Sequence, residues 1–266
     1  MGNADAATAD RASLLQIETD GRVLAIGLNR PAKRNALNDG IILALGDCFA
    51  SLPDNIGAVV IHGIGDHFSS GLDLSELTEQ DATDGLLHSQ MWHRVFDRIQ
   101  YSRVPVIAAL KGAVIGGGLE LACAAHIRVA EPSAYFALPE GQRGIFVGGG
   151  GSVRLPRLIG VARMMDMMLT GRVYSASEGE SYGFAQYLTE AGGALPKAME
   201  LAVKVAGNAP LTNFAVLQAL PLIAEANPQT GLLMESLMAT VAQSDKEAKQ
   251  RIRAFLDRKT AKVKPS

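Results

Sequence analysis

The chain is organised around a glycine-rich stretch near its middle, which reads Lys111-Gly112-Ala113-Val114-Ile115-Gly116-Gly117-Gly118-Leu119-Glu120-Leu121-Ala122. It follows an apolar run at 105–110 that predicts a buried strand. Consecutive glycines let a backbone approach a ligand closely, and the first amides of a helix beginning there attract negative charge. Glu120 follows Gly117 by about one helical turn, so amides and a carboxylate would be presented together. Alternatively, the glycines form only a turn before a core helix, and Glu120 lies in solvent.

Two further glycine-bearing segments flank this one in the chain. The first runs from His67 to Leu77 after a β-rich run at 57–62, and the second runs from Leu138 to Gly144 and leads into the glycines at 148–151. No dinucleotide fingerprint, phosphate-binding loop or serine-nucleophile elbow fits these glycines. The five histidines show no metal-binding spacing, so we expect no metal site.

The rest of the chain alternates strand and helix patterns. A hairpin is predicted at 14–28 around Asp20-Gly21, helices at 35–52 (with Asn38 as N-cap) and 85–100, and a strand at 127–130. From about Val161 onward strand signals disappear, and helices are predicted at 194–207, 212–224 and 229–257. We expect a loose tail at 1–12, an α/β core at 13–193 and a helical region at 194–266. The helical region is either a lid or oligomerisation element, or an extra layer of the same domain.

Composition limits the classes of function. Net charge is −2, with 48% hydrophobic and 20% charged residues among 266, which is typical of a soluble globular protein without a nucleic-acid surface. The two cysteines, Cys48 and Cys123, lie in apolar stretches and form no disulfide framework. Neither a secretory signal nor an apolar run of membrane-spanning length is visible, so we expect a cytoplasmic protein that contacts no membrane.

Four segments, in this order and spacing, resemble the crotonase or enoyl-CoA hydratase superfamily. They are Asn29-Arg30-Pro31-Ala32-Lys33-Arg34-Asn35-Ala36-Leu37, Ser70-Gly71-Leu72-Asp73-Leu74, Gly116-Gly117-Gly118-Leu119-Glu120 and Gly151-Ser152-Val153-Arg154-Leu155-Pro156-Arg157-Leu158-Ile159-Gly160. The resemblance covers nearly the whole chain after residue 13. It implies a ClpP-like spiral of ββα units, followed by C-terminal helices that assemble trimers or dimers of trimers.

The resemblance also implies a site for an acyl-CoA thioester. The backbone amides of Leu72 and Gly117 would form an oxyanion hole, and Glu120 and Glu140 would be the catalytic acids. The residues expected to contact CoA or substrate are Lys33, Arg34, Ala36, Ser70, Gly71, Asp73, Leu74 and Gly116. Phe255 and Lys259 loosely resemble a further CoA-contacting segment. No metal or redox cofactor is implied, because CoA is part of the substrate.

The paired glutamates decide which reaction we expect. Hydratases of the family carry both acids, so the resemblance favours addition of water across the conjugated double bond of a 2-enoyl-CoA. Another crotonase reaction, such as isomerisation, decarboxylation or hydrolysis, and a non-catalytic acyl-CoA-binding paralogue are the alternatives. Arg143 either pairs with a polar or acidic acyl tail or faces solvent. His126 and Val147 replace the aspartate and proline of many relatives.

Overall fold

Two β-sheets carry the loops that build the site. The computed structural model describes residues 13–76 and 81–257. The larger sheet has the order β1-β2-β3-β4-β6-β9, formed by Leu15–Asp20, Val23–Leu28, Ala58–Gly63, Val106–Leu110, Ile127–Ala130 and Tyr187–Leu188. The smaller sheet has the order β5-β7-β8, formed by Ala113–Ile115, Tyr135–Ala137 and Tyr174–Ser175. The expected tail at 1–12 and Lys259 lie outside the described residues.

The predicted hairpin is the only antiparallel pair within the described part of the larger sheet. β1 and β2 pair antiparallel around the turn at Gly21, whose φ is 56°. From β2 onward the neighbours β3, β4, β6 and β9 pair in parallel, as the alternation of strands and helices predicts. The carboxyl ends of these strands therefore lie along one edge of the sheet.

Seven α-helices accompany the sheets in the described part of the chain up to Ala206. They are α1 (Asp39–Ala50), α2 (Ala82–Gln100), α3 (Gly117–Ala124), α4 (Gly151–Ile159), α5 (Val161–Thr170), α6 (Ala176–Tyr182) and α7 (Ala194–Ala206). Asn38 caps α1 as predicted, since its side chain accepts from the Ile41 amide. Two turns of the spiral send a strand to the larger sheet and then a strand to the smaller one, namely β4 and β5 before α3, and β6 and β7 before α4.

Four short strands escape the sequence patterns. β5, β7, β8 and β9 each have only two or three residues. Strand periodicity needs about four residues to be visible. The expectation that strands end before Val161 was therefore wrong, because β8 and β9 extend the two sheets beyond it.

The parallel strands are buried on both faces, which explains their continuous apolar sequences. One face packs against α1 and α2, with Leu45 and Phe96 fully buried in the main cluster. The other face packs against α7, where Ala198 and Ala202 lie against Val60 of β3 and neighbouring strand residues. The small side chains of α7 allow it to lie close to the sheet.

The chain divides into two compact units, Met1–Ala206 and Gly207–Ser266. This boundary differs from the expected one at 193/194, because α7 packs on the sheet and belongs to the first unit. Within its described part, the second unit contains α8 (Pro210–Phe214), a π-helical segment (Ala215–Ala219), α9 (Leu220–Glu225), α10 (Pro228–Ser244) and α11 (Lys246–Leu256).

Helix α10 presents apolar side chains on its surface. Leu232, Leu233 and Leu237 are 64%, 62% and 55% exposed. Such an apolar face is typical of a contact between protein chains, and trimerisation through this region stays a prediction. Within residues 13–76 and 81–257, no helix is long and apolar enough to cross a membrane.

Candidate active site

The segment around Leu72 is fixed by hydrogen bonds to its neighbours. The Leu37 amide donates to the Gly71 carbonyl at 2.7 Å, and the Asp73 amide donates to the Leu37 carbonyl at 2.8 Å. Leu72 lies between these two bonds, so its own N–H points away from Leu37. Three residues before Leu72, Ser69 pairs with β5: its amide donates to the Ala113 carbonyl, and its carbonyl accepts from the Ile115 amide. The Leu72 amide is thus held against the start of α3.

Glycines let this segment approach α3 closely. Gly71 has a φ of 87°, and a Cβ placed on it would lie 2.6 Å from the Ile115 carbonyl oxygen and 3.2 Å from the Gly117 amide nitrogen. A Cβ on Gly117 would lie 3.5 Å from the Leu72 nitrogen. Among the described residues, no backbone carbonyl accepts from either amide. The structure therefore brings the two predicted oxyanion donors together and leaves both available to a ligand.

Glu120 lies on α3 and is buried. It is 4% exposed, which excludes the alternative that places it in solvent. Its Oε1 accepts from the amides of Gly149 and Gly151 at 2.8 and 2.7 Å. Burial raises the pKa of Glu120, while these two amides and Arg154 act in the opposite direction. The hydrogen bonds fix the carboxylate in one orientation and favour its ionised form.

Arg154 of α4 holds the loop that binds Glu120. Its Nη1 donates to the Gly149 carbonyl at 3.0 Å, its Nε to Gln100 Oε1 at 2.5 Å and its Nη2 to Asp97 Oδ1 at 2.6 Å. The side chain is nearly buried between α2 and this loop. The orientation of Glu120 therefore depends on Arg154, although the two residues are not hydrogen-bonded to each other.

Glu140 follows β7 and has a different environment. It is 8% exposed, and its buried Oε2 has no hydrogen-bond partner within the part of the chain that the structure describes. Burial raises the pKa of Glu140 to about 7, and Glu120 adds to the rise, whereas its own backbone amide and Arg143 oppose it. A Cβ on Gly116 would lie 2.5 Å from Glu140 Oε1, so any residue other than glycine at 116 would clash with this carboxyl group.

One cavity of about 290 Å³ joins these groups. Leu72, Gly117, Glu120 and Glu140 all line it. Its remaining wall is largely apolar and includes Trp92, Ile115, Ile145, Phe146 and Val147. Two unpaired amides and two carboxyls of raised pKa in one apolar cavity can stabilise a developing oxyanion and move protons beside it.

Four of the residues expected to contact CoA line this cavity. They are Ser70, Gly71, Leu74 and Gly116. Lys33 and Arg34 are exposed, and the Ser70 amide donates to the Arg34 carbonyl, whereas Ala36 is buried. These roles stay predictions.

The carboxylate of Asp73 is already used within the protein. It is buried and forms ion pairs with Arg30 and Lys33, each at 2.9 Å. Burial opposes ionisation of this group, but the bonds from Ser75, Lys33 and Arg30 hold its pKa well below the usual range. Asp73 therefore ties the segment at 30–36 to the segment that carries Leu72.

Two side chains that support the site, Arg154 and Asn35, carry no local sequence signal for this role. Arg154 lies in the fourth family-like segment, and nothing in its neighbouring sequence indicates that it contacts residues of α2. Asn35 is fully buried, and its Nδ2 donates to the carbonyls of Ile64 and His67 at 2.9 and 2.7 Å. Asn35 thereby connects the first family-like segment to the loop before Ser69. Both contacts join residues distant in sequence, so no local pattern reports them.

Over the described ranges 13–76 and 81–257, no three or more histidine, cysteine, aspartate or glutamate side chains lie together as a metal-binding group.

The family model described as enoyl-CoA hydratase/isomerase matches residues 18–265. The chain belongs to this family, and its fold is the predicted crotonase fold. It is 35% identical to the 2,3-dehydroadipyl-CoA hydratase of Escherichia coli K12 over 95% of this chain and 99% of that protein. It is 30% identical to the short-chain-enoyl-CoA hydratase of Clostridium acetobutylicum over 91% of this chain and 94% of that protein.

Solved structures agree with this assignment. The crystal structure of a protein described as a putative enoyl-CoA hydratase from Rhodopseudomonas palustris CGA009 matches with a TM-score of 0.91 and 80% identity, covering 94% of this chain and 97% of that one. The enoyl-CoA hydratase from Bacillus anthracis matches with a TM-score of 0.87 and 30% identity, covering 95% of this chain and 100% of that one.

Proposed function

We propose that the protein is an enoyl-CoA hydratase that adds water across the conjugated double bond of a 2-enoyl-CoA thioester. The observation that carries the proposal is the presence of two buried glutamates, Glu120 and Glu140, in the cavity that also contains the unpaired amides of Leu72 and Gly117. A reaction that both takes a proton from water and delivers one to carbon uses two acid–base groups. Binding of an acyl-CoA alone would not require either carboxyl to be buried.

The amides act on the thioester oxygen. Attack of water on the β-carbon moves negative charge onto this oxygen as an enolate forms. Two N–H groups aimed at that position stabilise the transition state more than the ground state. Removal of one such donor typically costs about 2.7–4 kcal/mol of transition-state stabilisation.

The two carboxyls have environments that suit different tasks. Glu120 accepts two amide hydrogen bonds, which favour its ionised form, and we assign it the role of accepting a proton from the attacking water. Glu140 has a pKa raised to about 7 and an unpartnered Oε2, so it can carry the proton that the α-carbon receives. The proposed reaction needs no metal or redox cofactor, since CoA is part of the substrate.

The proposal is tested by replacing each glutamate with glutamine, which keeps the shape but removes the proton transfer. Glu120→Gln and Glu140→Gln should each lower the rate of enoyl-CoA hydration by at least about a hundredfold. Hydration is followed by loss of the conjugated enoyl absorbance, with circular dichroism and acyl-CoA binding as controls for folding. The hydration rate of the double variant should be reduced by a factor smaller than the product of the two single reductions, because the pair acts on one water.

Other outcomes of this experiment distinguish the alternatives. If Glu140→Gln abolished turnover and Glu120→Gln were harmless, an isomerase-like mechanism would replace the hydratase proposal. If neither substitution slowed turnover of any enoyl-CoA, the assignment of both acids would be wrong.

A further inference from the structure

One arginine side chain lies in the largely apolar wall of the active-site cavity. Among the described residues that line the cavity, Arg143 is the sole lysine or arginine. It follows Glu140 by three residues, and Ile145 and Phe146 continue the same wall. If Glu140 delivers a proton to the α-carbon, the part of the cavity wall formed by Arg143, Ile145 and Phe146 faces the acyl group.

The backbone that carries Arg143 is held in place. The amides of Arg143 and Ile145 both donate to the Glu140 carbonyl at 3.0 Å. The neighbouring Gln142 turns away, and its Nε2 donates to the Thr170 carbonyl at 3.0 Å. Arg143 therefore lies on a hydrogen-bonded turn that begins at Glu140.

Arg143 is exposed, and its guanidinium forms no ion pair with any residue that the structure describes. Within residues 13–76 and 81–257, no carboxylate lies within 4.0 Å of it, whereas Arg30, Arg154 and Arg172 all form ion pairs. Neither glutamate of the cavity forms an ion pair with it in the described structure. An acyl chain made only of hydrocarbon would gain no hydrogen bond from this guanidinium, whereas a terminal carboxylate would accept hydrogen bonds from it.

We propose that Arg143 binds a carboxylate at the far end of the acyl group, so that the preferred substrates are 2-enoyl-CoA thioesters of short dicarboxylic acids. This inference rests on the proposed hydratase function and specifies its substrate class. A planar guanidinium binds a carboxylate through two parallel hydrogen bonds, which gives both affinity and register. The cavity volume of about 290 Å³ lies at the lower end of the roughly 300–1,000 Å³ typical of small-molecule pockets, which favours a short acyl group.

The test compares two thioesters of equal chain length, hex-2-enedioyl-CoA and hex-2-enoyl-CoA, which differ in the terminal carboxylate. Arg143→Gln should lower kcat/KM for hex-2-enedioyl-CoA by about 10- to 100-fold, the effect of losing a hydrogen-bonded charge pair. Arg143 also opposes the rise in the pKa of Glu140, so some loss is expected for both substrates, but the loss for hex-2-enoyl-CoA should be at least about threefold smaller than the loss for hex-2-enedioyl-CoA. Arg94→Gln is the matched control, since it removes an exposed arginine of α2 that does not line the cavity and should affect neither substrate.

A second measurement keeps this proposal separable from the hydratase proposal. Binding of the unreactive pair adipyl-CoA and hexanoyl-CoA is measured by calorimetry with the wild-type protein and Arg143→Gln. A preference for adipyl-CoA that the variant loses supports the role of Arg143, even if the wild-type protein hydrated neither enoyl-CoA and the proposed function failed. Equal losses for the charged and uncharged members of either pair, or a wild-type preference for the uncharged members, would overturn the proposal.

Discussion

Replacement of Arg154 by methionine tests how the loop at 149–151 controls Glu120. The substitution keeps an apolar side chain of similar length but removes the donors to Gly149, Gln100 and Asp97. A hydrogen bond from a charged donor contributes about 1.5–3 kcal/mol. The carboxylate of Asp97 is 53% exposed, so its ion pair with Arg154 adds little. We expect the free energy of unfolding to fall by about 2–4 kcal/mol and Tm by about 5–12 °C.

The activity should change in a way that a general loss of stability does not produce. Without Arg154, the carbonyl of Gly149 loses its donor and the two amides that hold Glu120 are less well placed. We expect kcat to fall at least about tenfold, as for a displaced acid–base group, while KM changes by less than about threefold.

The pH profile gives an independent readout of the same substitution. Arg154 lowers the pKa of Glu120, so its removal should raise that pKa. If Glu120 acts as a base, the acidic limb of kcat must then move to higher pH.

Arg157→Met on α4 is the matched control, because Arg157 is exposed and its Nη1 donates within the helix to the Val153 carbonyl. The three measurements are thermal unfolding, steady-state kinetics well below Tm and the kcat–pH profile. A folded Arg154→Met protein with the wild-type kcat and the wild-type acidic limb would refute the positioning role.

Two other predictions concern the oxyanion hole and assembly. Gly117→Pro should lose about 100- to 1,000-fold in kcat relative to Gly117→Ala, because both carry a Cβ near Trp92 but only alanine keeps the N–H. Leu72→Ala should stay substantially active, because it keeps the backbone amide. Equal activity of the two Gly117 variants would contradict the assignment of the Gly117 amide to the oxyanion hole. The exposed leucines of α10 predict a trimer or hexamer in sedimentation, which Leu233→Glu and Leu237→Glu should weaken; a wild-type monomer at micromolar concentration would reject this.

The sequence predicted the elements whose patterns are long enough to be seen. The hairpin around Gly21, the Asn38 cap of α1 and the parallel strands β3 and β4 all follow from local residues. The expectation that the segments around Leu72, Gly117 and Glu140 form one site rests on their resemblance to the crotonase superfamily. Strand patterns could not supply it, because Gly117 and Glu140 follow the short strands β5 and β7 of the smaller sheet.

The remaining features depend on contacts between distant residues. The four short strands have too few residues to show a period. In the described sheets β9 pairs with the longer strand β6, whereas β5, β7 and β8 pair with one another, so all four depend on partners distant in sequence. The contact of Arg154 with Asp97 joins positions 57 residues apart, and the assignment of α7 to the first unit depends on its packing against the sheet. Burial of Glu120 likewise follows from the loop that closes over it, which no local pattern reveals.

Incorporation of isotopes from solvent shows whether the cavity adds water to an enoyl-CoA. The protein is incubated with a short 2-enoyl-CoA in water enriched in oxygen-18 and deuterium, and the product is analysed by mass spectrometry. A hydratase yields a 3-hydroxyacyl-CoA with one labelled oxygen at the β-carbon and one deuterium at the α-carbon. Deuterium uptake without labelled oxygen, or an unchanged thioester that remains bound to the protein, would contradict the hydratase proposal.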